Sequence, residues 1–194
     1  MILNWCLCSD VTATVIDNTR RVIGRDPNGT QTTPFDYGSG HVNPVASLNP
    51  GLVYDFNSQD VLNFLCSNGA SPAQLKNLTG VISQCQKPLT ASSNFNYPSI
   101  GVSSLNGSLS VYRTVTYYGQ GPTVYRASVE NPSGVNVKVT PAELKFVKTG
   151  EKITFRIDFF PFKNSDGSFV FGALIWNNGI QRVRSPIGLN VLST

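Results

Sequence analysis

The chain has 194 residues, of which 40% are hydrophobic and only 13% charged, and its formal net charge is +4 at pH 7. This length accommodates one domain with a large appendage or two small domains. The basic residues are scattered and no nucleic-acid-reading motif is present, so specific nucleic-acid binding is not expected. No apolar run approaches the roughly 20 residues that a membrane-spanning helix requires.

The low charge together with many Ser, Thr, Asn and Gly residues favours a secreted, β-rich protein. The first ten residues are apolar but lack a basic start, so they are a poor signal peptide.

Residues 34–55 contain too many glycines and prolines for regular structure, yet they carry aromatic and aliphatic side chains. Four of these side chains are expected to pack on a partner body outside this chain: Phe35, Tyr37, Leu48 and Tyr54. We therefore expect residues 1–60 to be poorly ordered, or to contact the rest of the chain over a small area and leave apolar surface exposed.

Two short helices are predicted next. The first runs over residues 59–66 behind Ser58 and carries an apolar stripe. The second begins at Ser71 and Pro72, with Gln74 completing a capping box, and ends near Asn77.

The chain has four cysteines. Cys66 and Cys85 flank the helical segment and can close a loop of about twenty residues as a disulfide. A zinc site is the competing interpretation, but the chain has a single histidine and no second close cysteine pair. Cys6 and Cys8 are two residues apart, a poor geometry for a bond between them.

From about residue 94 to 194 apolar and polar residues alternate, which is typical of strands with one buried face. Turn residues separate roughly seven or eight such strands, so an antiparallel β-sandwich is predicted. Five side chains are expected to face its core: Val137, Phe155, Ile157, Phe171 and Ile175. Arg182 and Arg184 share one face of a strand and form a small basic stripe.

No catalytic constellation is apparent. His41 is the only histidine, and Ser39 lies too close to it in sequence for an ordinary catalytic triad. The hydrolase elbow is absent because Tyr37 occupies its first glycine position. No phosphate-binding loop is present, and we expect neither a cofactor nor a metal. Three glycosylation sequons begin at Asn28, Asn77 and Asn106.

Seven segments, in order, resemble plant subtilisin-like serine proteases of the cucumisin type: residues 35–44 (FDYGSGHVNP), 48–55 (LNPGLVYD), 64–66 (FLC), 96–100 (NYPSI), 112–116 (YRTVT), 171–176 (FGALIW) and 183–187 (VRSPI). The resemblance covers about residues 11–194. It implies a mainly β protein in which a fibronectin type III-like sandwich follows a loop-rich remnant of an α/β catalytic domain with short helices.

The resemblance implies three parts. Residues 1–57 correspond to the C-terminal end of the catalytic domain, 58–93 to a short helical connector, and 94–194 to the fibronectin type III-like sandwich. The family's nucleophile segment is missing, since Gly29 and Thr30 are followed by Gln31, and no catalytic residue carries over. Tyr117 and Tyr118 depart from the family's usual Asn-Val before Gly119.

Three functions compete. The first is a non-catalytic C-terminal fragment of a secreted subtilisin-like endopeptidase, whose sandwich would support the protease domain in the apoplast or cell wall. The second is a free-standing β-sandwich module that binds a subtilase catalytic domain or another protein. The third, an active peptidase, needs residues that this chain lacks.

Overall fold

The computed structural model describes residues 8–81, 83–85 and 87–194. Residues 8–12 are helical. The further helices are α1 (Pro34–Tyr37), α2 (Pro44–Ser47), α3 (Ser58–Ser67) and α4 (Pro72–Thr79), with a 3-10 turn at Ser92–Asn94. The strands are β1 (Leu52–Val53), β2 (Ile100–Asn106), β3 (Leu109–Tyr117), β4 (Thr123–Glu130), β5 (Val135–Thr140), β6 (Glu143–Phe146), β7 (Lys152–Pro161), β8 (Phe169–Asn177) and β9 (Arg182–Ser193).

The strands form two sheets. The four-stranded sheet has the order β1-β3-β7-β5, and the five-stranded sheet has the order β2-β9-β8-β4-β6. Neighbours are antiparallel except β2 and β9, which run parallel. The predicted mainly β sandwich is confirmed, with this one parallel pair as a departure from the expected antiparallel pairing.

Large aromatic side chains from both sheets fill the space between them, and six are fully buried: Tyr54, Tyr125, Phe146, Phe155, Phe159 and Trp176. Of the predicted core residues, Phe155 and Ile157 lie in this cluster, and Val137 packs against it. The prediction is wrong for Phe171 and Ile175. Strand alternation on β8 turns Leu174 and Trp176 inward, so these two residues lie on the opposite face of the five-stranded sheet.

The two predicted helices are present with slightly different bounds. α3 begins at Ser58 because Asn57 is its cap: the Asn57 side chain accepts from the Asp60 N–H, and the Asp60 carboxylate accepts from the Asn57 N–H. Ser71 caps α4 as predicted, and the helix continues past Asn77 to Thr79, where Gly80 ends it in the left-handed conformation.

The segment before the sandwich supplies part of its core. β1 pairs with β3 through Leu52 opposite Tyr117 and Val53 opposite Thr116. Tyr54 is fully buried, and its hydroxyl shares a 2.7 Å hydrogen bond with the Ser185 hydroxyl of β9. The expectation that Tyr54 packs on an absent partner is therefore wrong, because residues 52–54 complete the sandwich itself.

A buried arginine joins β3 to the segment that leads into the sandwich. Arg113 is 3% exposed, and its guanidinium donates to the carbonyl oxygens of Tyr97, Ser93, Tyr112 and Ser99 at 2.8 to 3.5 Å. Burial lowers the pKa of Arg113 to about 10, so the side chain is charged at neutral pH. Backbone carbonyls thus provide this buried charge with its acceptors.

Truncating Tyr54 tests this arrangement. Tyr54→Ala should lower the free energy of unfolding by about 3 to 5 kcal/mol, the usual cost of removing a buried aromatic ring. Leu48→Ala is the matched control, since Leu48 is 74% exposed, and it should change the free energy by no more than about 0.5 kcal/mol. Urea unfolding followed by Trp fluorescence measures both. Equally small effects would show that residues 52–54 are not part of the sandwich core in solution.

Candidate functional site

Residues 8–50 cover the outer face of the five-stranded sheet. The Phe35 ring packs edge-on against Phe169 and Phe171, with centroids 4.9 and 5.0 Å away. Gln181 donates to the Asn49 side chain at 2.7 Å. With this segment in place the middle of β8 and β9 is buried on both faces. The prediction that residues 1–60 leave apolar surface exposed is confirmed for Phe35 and Leu48.

α1 is fixed by a network of charged and polar groups. The Asp36 carboxylate accepts from the Thr33 N–H at 2.8 Å and pairs with Arg25 at 2.8 Å. The Arg25 guanidinium, followed by the Thr33 groups, lowers the pKa of Asp36 to about 2. This polar network joins α1 to Arg25 and Thr33 of the same segment, and the Phe35 ring supplies the contact with the sheet.

The residues around His41 form a backbone bridge. The N–H of Thr14 donates to the His41 carbonyl at 3.0 Å, and the N–H of His41 donates back at 2.8 Å. Gly40 has φ of 124°, and a Cβ there would lie 2.3 Å from the Thr14 carbonyl oxygen. Glycine is therefore required at position 40 for the backbone at His41 to pair with the backbone at Thr14.

This bridge contains no catalytic pair. The His41 side chain is exposed, and within the described part of the chain no hydrogen bond reaches its imidazole or links it to Ser39. Ser39 instead lines an apolar cleft next to Phe35. Sequence and geometry thus both indicate a structural role for this tract.

The covering segment and the β8–β9 turn carry exposed apolar side chains. We call the following residues the apolar set: Phe35 (68% exposed), Val42 (68%), Val45 (80%), Leu48 (74%) and Ile180 (88%). Leu48 and Ile180 border one cleft of about 570 Å³ with the 117–123 turn. Phe35, Tyr37 and Leu48 were all predicted to need a partner. Phe35 and Leu48 are exposed, whereas Tyr37 is half-buried and lines a cleft beside β8.

The described cysteines are one disulfide pair and one free thiol. Cys66 and Cys85 form a disulfide with Cα atoms 5.5 Å apart, which fastens the end of α3 to the chain after α4. Within the described residues Cys8 is free, and burial, followed by the charge of Asp55, raises the pKa of its thiol. Cys6 lies outside the described residues. Those residues contain no His, Cys, Asp and Glu group that could hold a metal.

The three sequon asparagines are exposed. Asn28 lies in a turn, Asn77 in the last turn of α4 and Asn106 at the end of β2. The Asn106 side chain accepts a hydrogen bond from the Ser193 hydroxyl.

Sequence reasoning did not identify Arg184 as a buried residue. It was assigned with Arg182 to a small basic stripe, but Arg184 is only 5% exposed and lines a cleft beside the covering segment. The sequence signal for its burial was the apolar residues on either side, Val183 before it and Pro186 and Ile187 after it. These residues lie in a stretch of β9 that is buried on both faces.

The chain matches known proteins over nearly its whole length. Residues 94–189 match the Fibronectin type-III domain family model. Subtilisin-like serine-protease S of Lotus japonicus is 85% identical over 94% of this chain and 24% of that protein. Subtilisin-like protease SBT5.3 of Arabidopsis thaliana is 43% identical over 91% of this chain and 23% of that protein. The CO(2)-response secreted protease of the same plant is 41% identical over 91% of this chain and 24% of that protein. The chain thus spans about a quarter of these relatives.

Solved structures show only distant likeness. A FixG-related protein from Vibrio parahaemolyticus has a TM-score of 0.36 and 12% identity, covering 44% of this chain and 79% of that chain. The SSP-19 protein of Caenorhabditis elegans has a TM-score of 0.36 and 9% identity, covering 48% of this chain and 94% of that chain. These values support no functional inference. None of the helices in the described ranges combines the length and apolar character that crossing a membrane requires.

Removing the disulfide should destabilise the connector. Cys66→Ser with Cys85→Ser should lower the free energy of unfolding by about 3 kcal/mol on the chain-entropy estimate for a loop of this size. Cys8→Ser, which breaks no bond within the described part of the chain, is the control. Denaturant unfolding measures stability, and alkylation without reductant counts free thiols. Alkylation of Cys66 and Cys85 in the native protein would contradict the bond.

Proposed function

This chain belongs to the plant subtilisin-like serine proteases, and we propose that it is a non-catalytic C-terminal part of a secreted enzyme whose sandwich supports the protease domain. The observation that carries this proposal is the apolar set on a segment that the sandwich holds in place. We keep the division into residues 1–57, 58–93 and 94–194 as part of the proposal, with β1 of the first part completing the sheet of the third.

The exposed apolar side chains favour a protein partner. Covering one large aliphatic side chain completely gains about 1.5 to 3 kcal/mol, so a protein surface over Val45, Leu48 and Ile180 would gain several times that amount. Leu48 and Ile180 border one cleft beside the 117–123 turn, and Gln181, next to Ile180, donates to the side chain of Asn49, next to Leu48. The sandwich thereby sets the position of the surface that we propose meets the protease domain.

The free-standing interaction module is the alternative. In that case the same apolar set would bind another protein, and the remainder of a subtilase would not be needed.

Two substitutions separate these functions. Val45→Lys should leave the stability of this chain within about 0.5 kcal/mol, because Val45 is 80% exposed. In a full-length protease that includes this chain, the same change should lower the melting temperature and the secreted yield, because it places a charge in an apolar contact. Val147→Lys is the control, since Val147 is 67% exposed on another part of the sandwich, and it should change neither protein. An unaffected Val45→Lys protease would favour the free-standing module.

We propose that this chain alone has no peptidase activity. Its single histidine is exposed and has no serine hydrogen-bonded to it within the described residues. The purified chain should neither hydrolyse peptide substrates nor react with a fluorophosphonate probe, whereas a full-length subtilase in the same assay reacts. Stoichiometric labelling of the chain, detected by intact mass, would overturn this proposal.

We propose an extracellular location, in the apoplast or cell wall. Support comes from a relative that is named as a secreted protease, from the Cys66–Cys85 disulfide and from three exposed sequon asparagines, Asn28, Asn77 and Asn106. Intact mass before and after enzymatic glycan removal tests whether these asparagines are glycosylated, with Asn136→Gln, outside any sequon, as the control.

A further inference from the structure

Arg184 is a buried cation on the covered face of the five-stranded sheet. It lies opposite Ile175 of β8, and its neighbour Ser185 points the other way, into the core toward Tyr54. The covering segment leaves Arg184 only 5% exposed. A charged side chain this deep in a protein normally has hydrogen-bond partners, because removing it from water is costly.

Two of the three guanidinium nitrogens of Arg184 lack those partners among the described residues. Among residues 8–81, 83–85 and 87–194, its Nε and Nη1 atoms have no acceptor and no carboxylate forms an ion pair with it. None of the residues outside these ranges is Asp or Glu. Arg113 provides an internal comparison, since it is equally buried and donates to four backbone carbonyls. The fold therefore provides acceptors for one buried guanidinium and leaves the other open.

Open space adjoins this guanidinium. Arg184 lines a cleft of about 450 Å³ between α1 and strands β4, β8 and β9. The cleft wall also includes side chains that can donate hydrogen bonds, from Gln31, Tyr37 and Ser133. The aromatic rings of Phe169 and Phe171 form another part of the wall, so the cleft combines donors with an apolar surface.

The charges around the cleft favour an anion. Arg182 and Arg184 lie two residues apart on the same face of β9, Arg184 lining this cleft and Arg182 a second cleft; among the described lining residues Glu130 is the one carboxylate, and it forms no ion pair with Arg184. Burial, followed by the charge of Arg184, lowers the pKa of Arg182, while Glu130 opposes the shift.

We propose that Arg184 anchors a carboxylate-binding site in this cleft. A carboxylate has two oxygens that accept charge-assisted hydrogen bonds from one guanidinium, and it supplies the missing negative charge. The group comes either from a side chain in the part of a full-length protease that this chain does not include, or from a small free carboxylate. Both sources present the same chemistry to Arg184.

The test follows the Arg184 Nε–Hε signal in proton–nitrogen NMR spectra of the whole chain. Sodium acetate is the probe, and sodium chloride at matched ionic strength is the control salt. Arg184→Lys identifies the signal by its loss, and the Arg113 signal is the internal control. We expect acetate to move the Arg184 signal saturably while Arg113 stays in place. An identical response of Arg184 to both salts would overturn the proposal.

Glu130→Gln tests whether a carboxylate of the chain already fills the site. If the cleft is open, the wild-type chain binds acetate. If Glu130 occupies Arg184 in solution, acetate binds only to the Glu130→Gln variant, and the proposal fails.

Arg184→Gln distinguishes the two sources, and this arm alone rests on the proposed function. A larger drop in melting temperature in a full-length protease than in this chain would identify a side-chain carboxylate of the remaining part. An equal change in both proteins would identify a free carboxylate.

Discussion

The burial of Tyr54 between the two sheets joins the two parts of this chain. Leu52 and Val53, directly before it, extend the four-stranded sheet beside β3, and the Tyr54 hydroxyl reaches Ser185 of the five-stranded sheet. Three consecutive residues therefore contact both layers of the sandwich. Because residues 8–50 lead into this stretch, their path across the outer face of the five-stranded sheet depends on it.

Asn96 and Arg113 reinforce this connection from the other side. The Asn96 side chain donates to the Asp55 carbonyl at 2.7 Å, donates to the Thr114 carbonyl at 2.8 Å and accepts from the Thr114 N–H at 2.8 Å. It thus takes the place of a neighbouring strand beside β3. Asn96 and Arg113 are hydrogen-bonded to the backbone here, whereas the covered face keeps the Arg184 guanidinium without acceptors for Nε and Nη1. In the two proposals above, this guanidinium and the exposed apolar side chains both contact groups outside this chain.

The sandwich was predictable because its strands alternate between apolar and polar residues. β7 shows this clearly, with Phe155 and Ile157 inward and Arg156 exposed between them. β8 was harder, because residues 169–176 are apolar throughout and both faces of the strand are covered, so periodicity does not indicate which side faces the core. Phe171 and Ile175 were assigned to the wrong face for this reason.

The role of the Gly- and Pro-rich tract could be predicted only in part. Its composition predicted little regular structure, whereas the tract forms the short helices α1 and α2 and the strand β1. Leu48 and Phe35 are exposed, as the prediction of a missing partner requires. Nothing local distinguishes Tyr54 from these two residues, because its burial depends on β3 and β9, more than sixty residues away in sequence. The open guanidinium of Arg184 likewise follows from the covering segment, which no strand pattern reveals.

Hydrogen exchange at individual amides tests the central claim, that residues 52–54 unfold together with the sandwich. The Leu52 N–H bonds locally to the Pro50 carbonyl, so its exchange does not report on the pairing of β1 with β3. The Tyr118 N–H donates to the Gly51 carbonyl at 2.8 Å, and we expect it to be as protected from exchange as the amides of β7. Exchange at Tyr118 that is orders of magnitude faster than in β7 would show that β1 opens by itself, and would contradict the account.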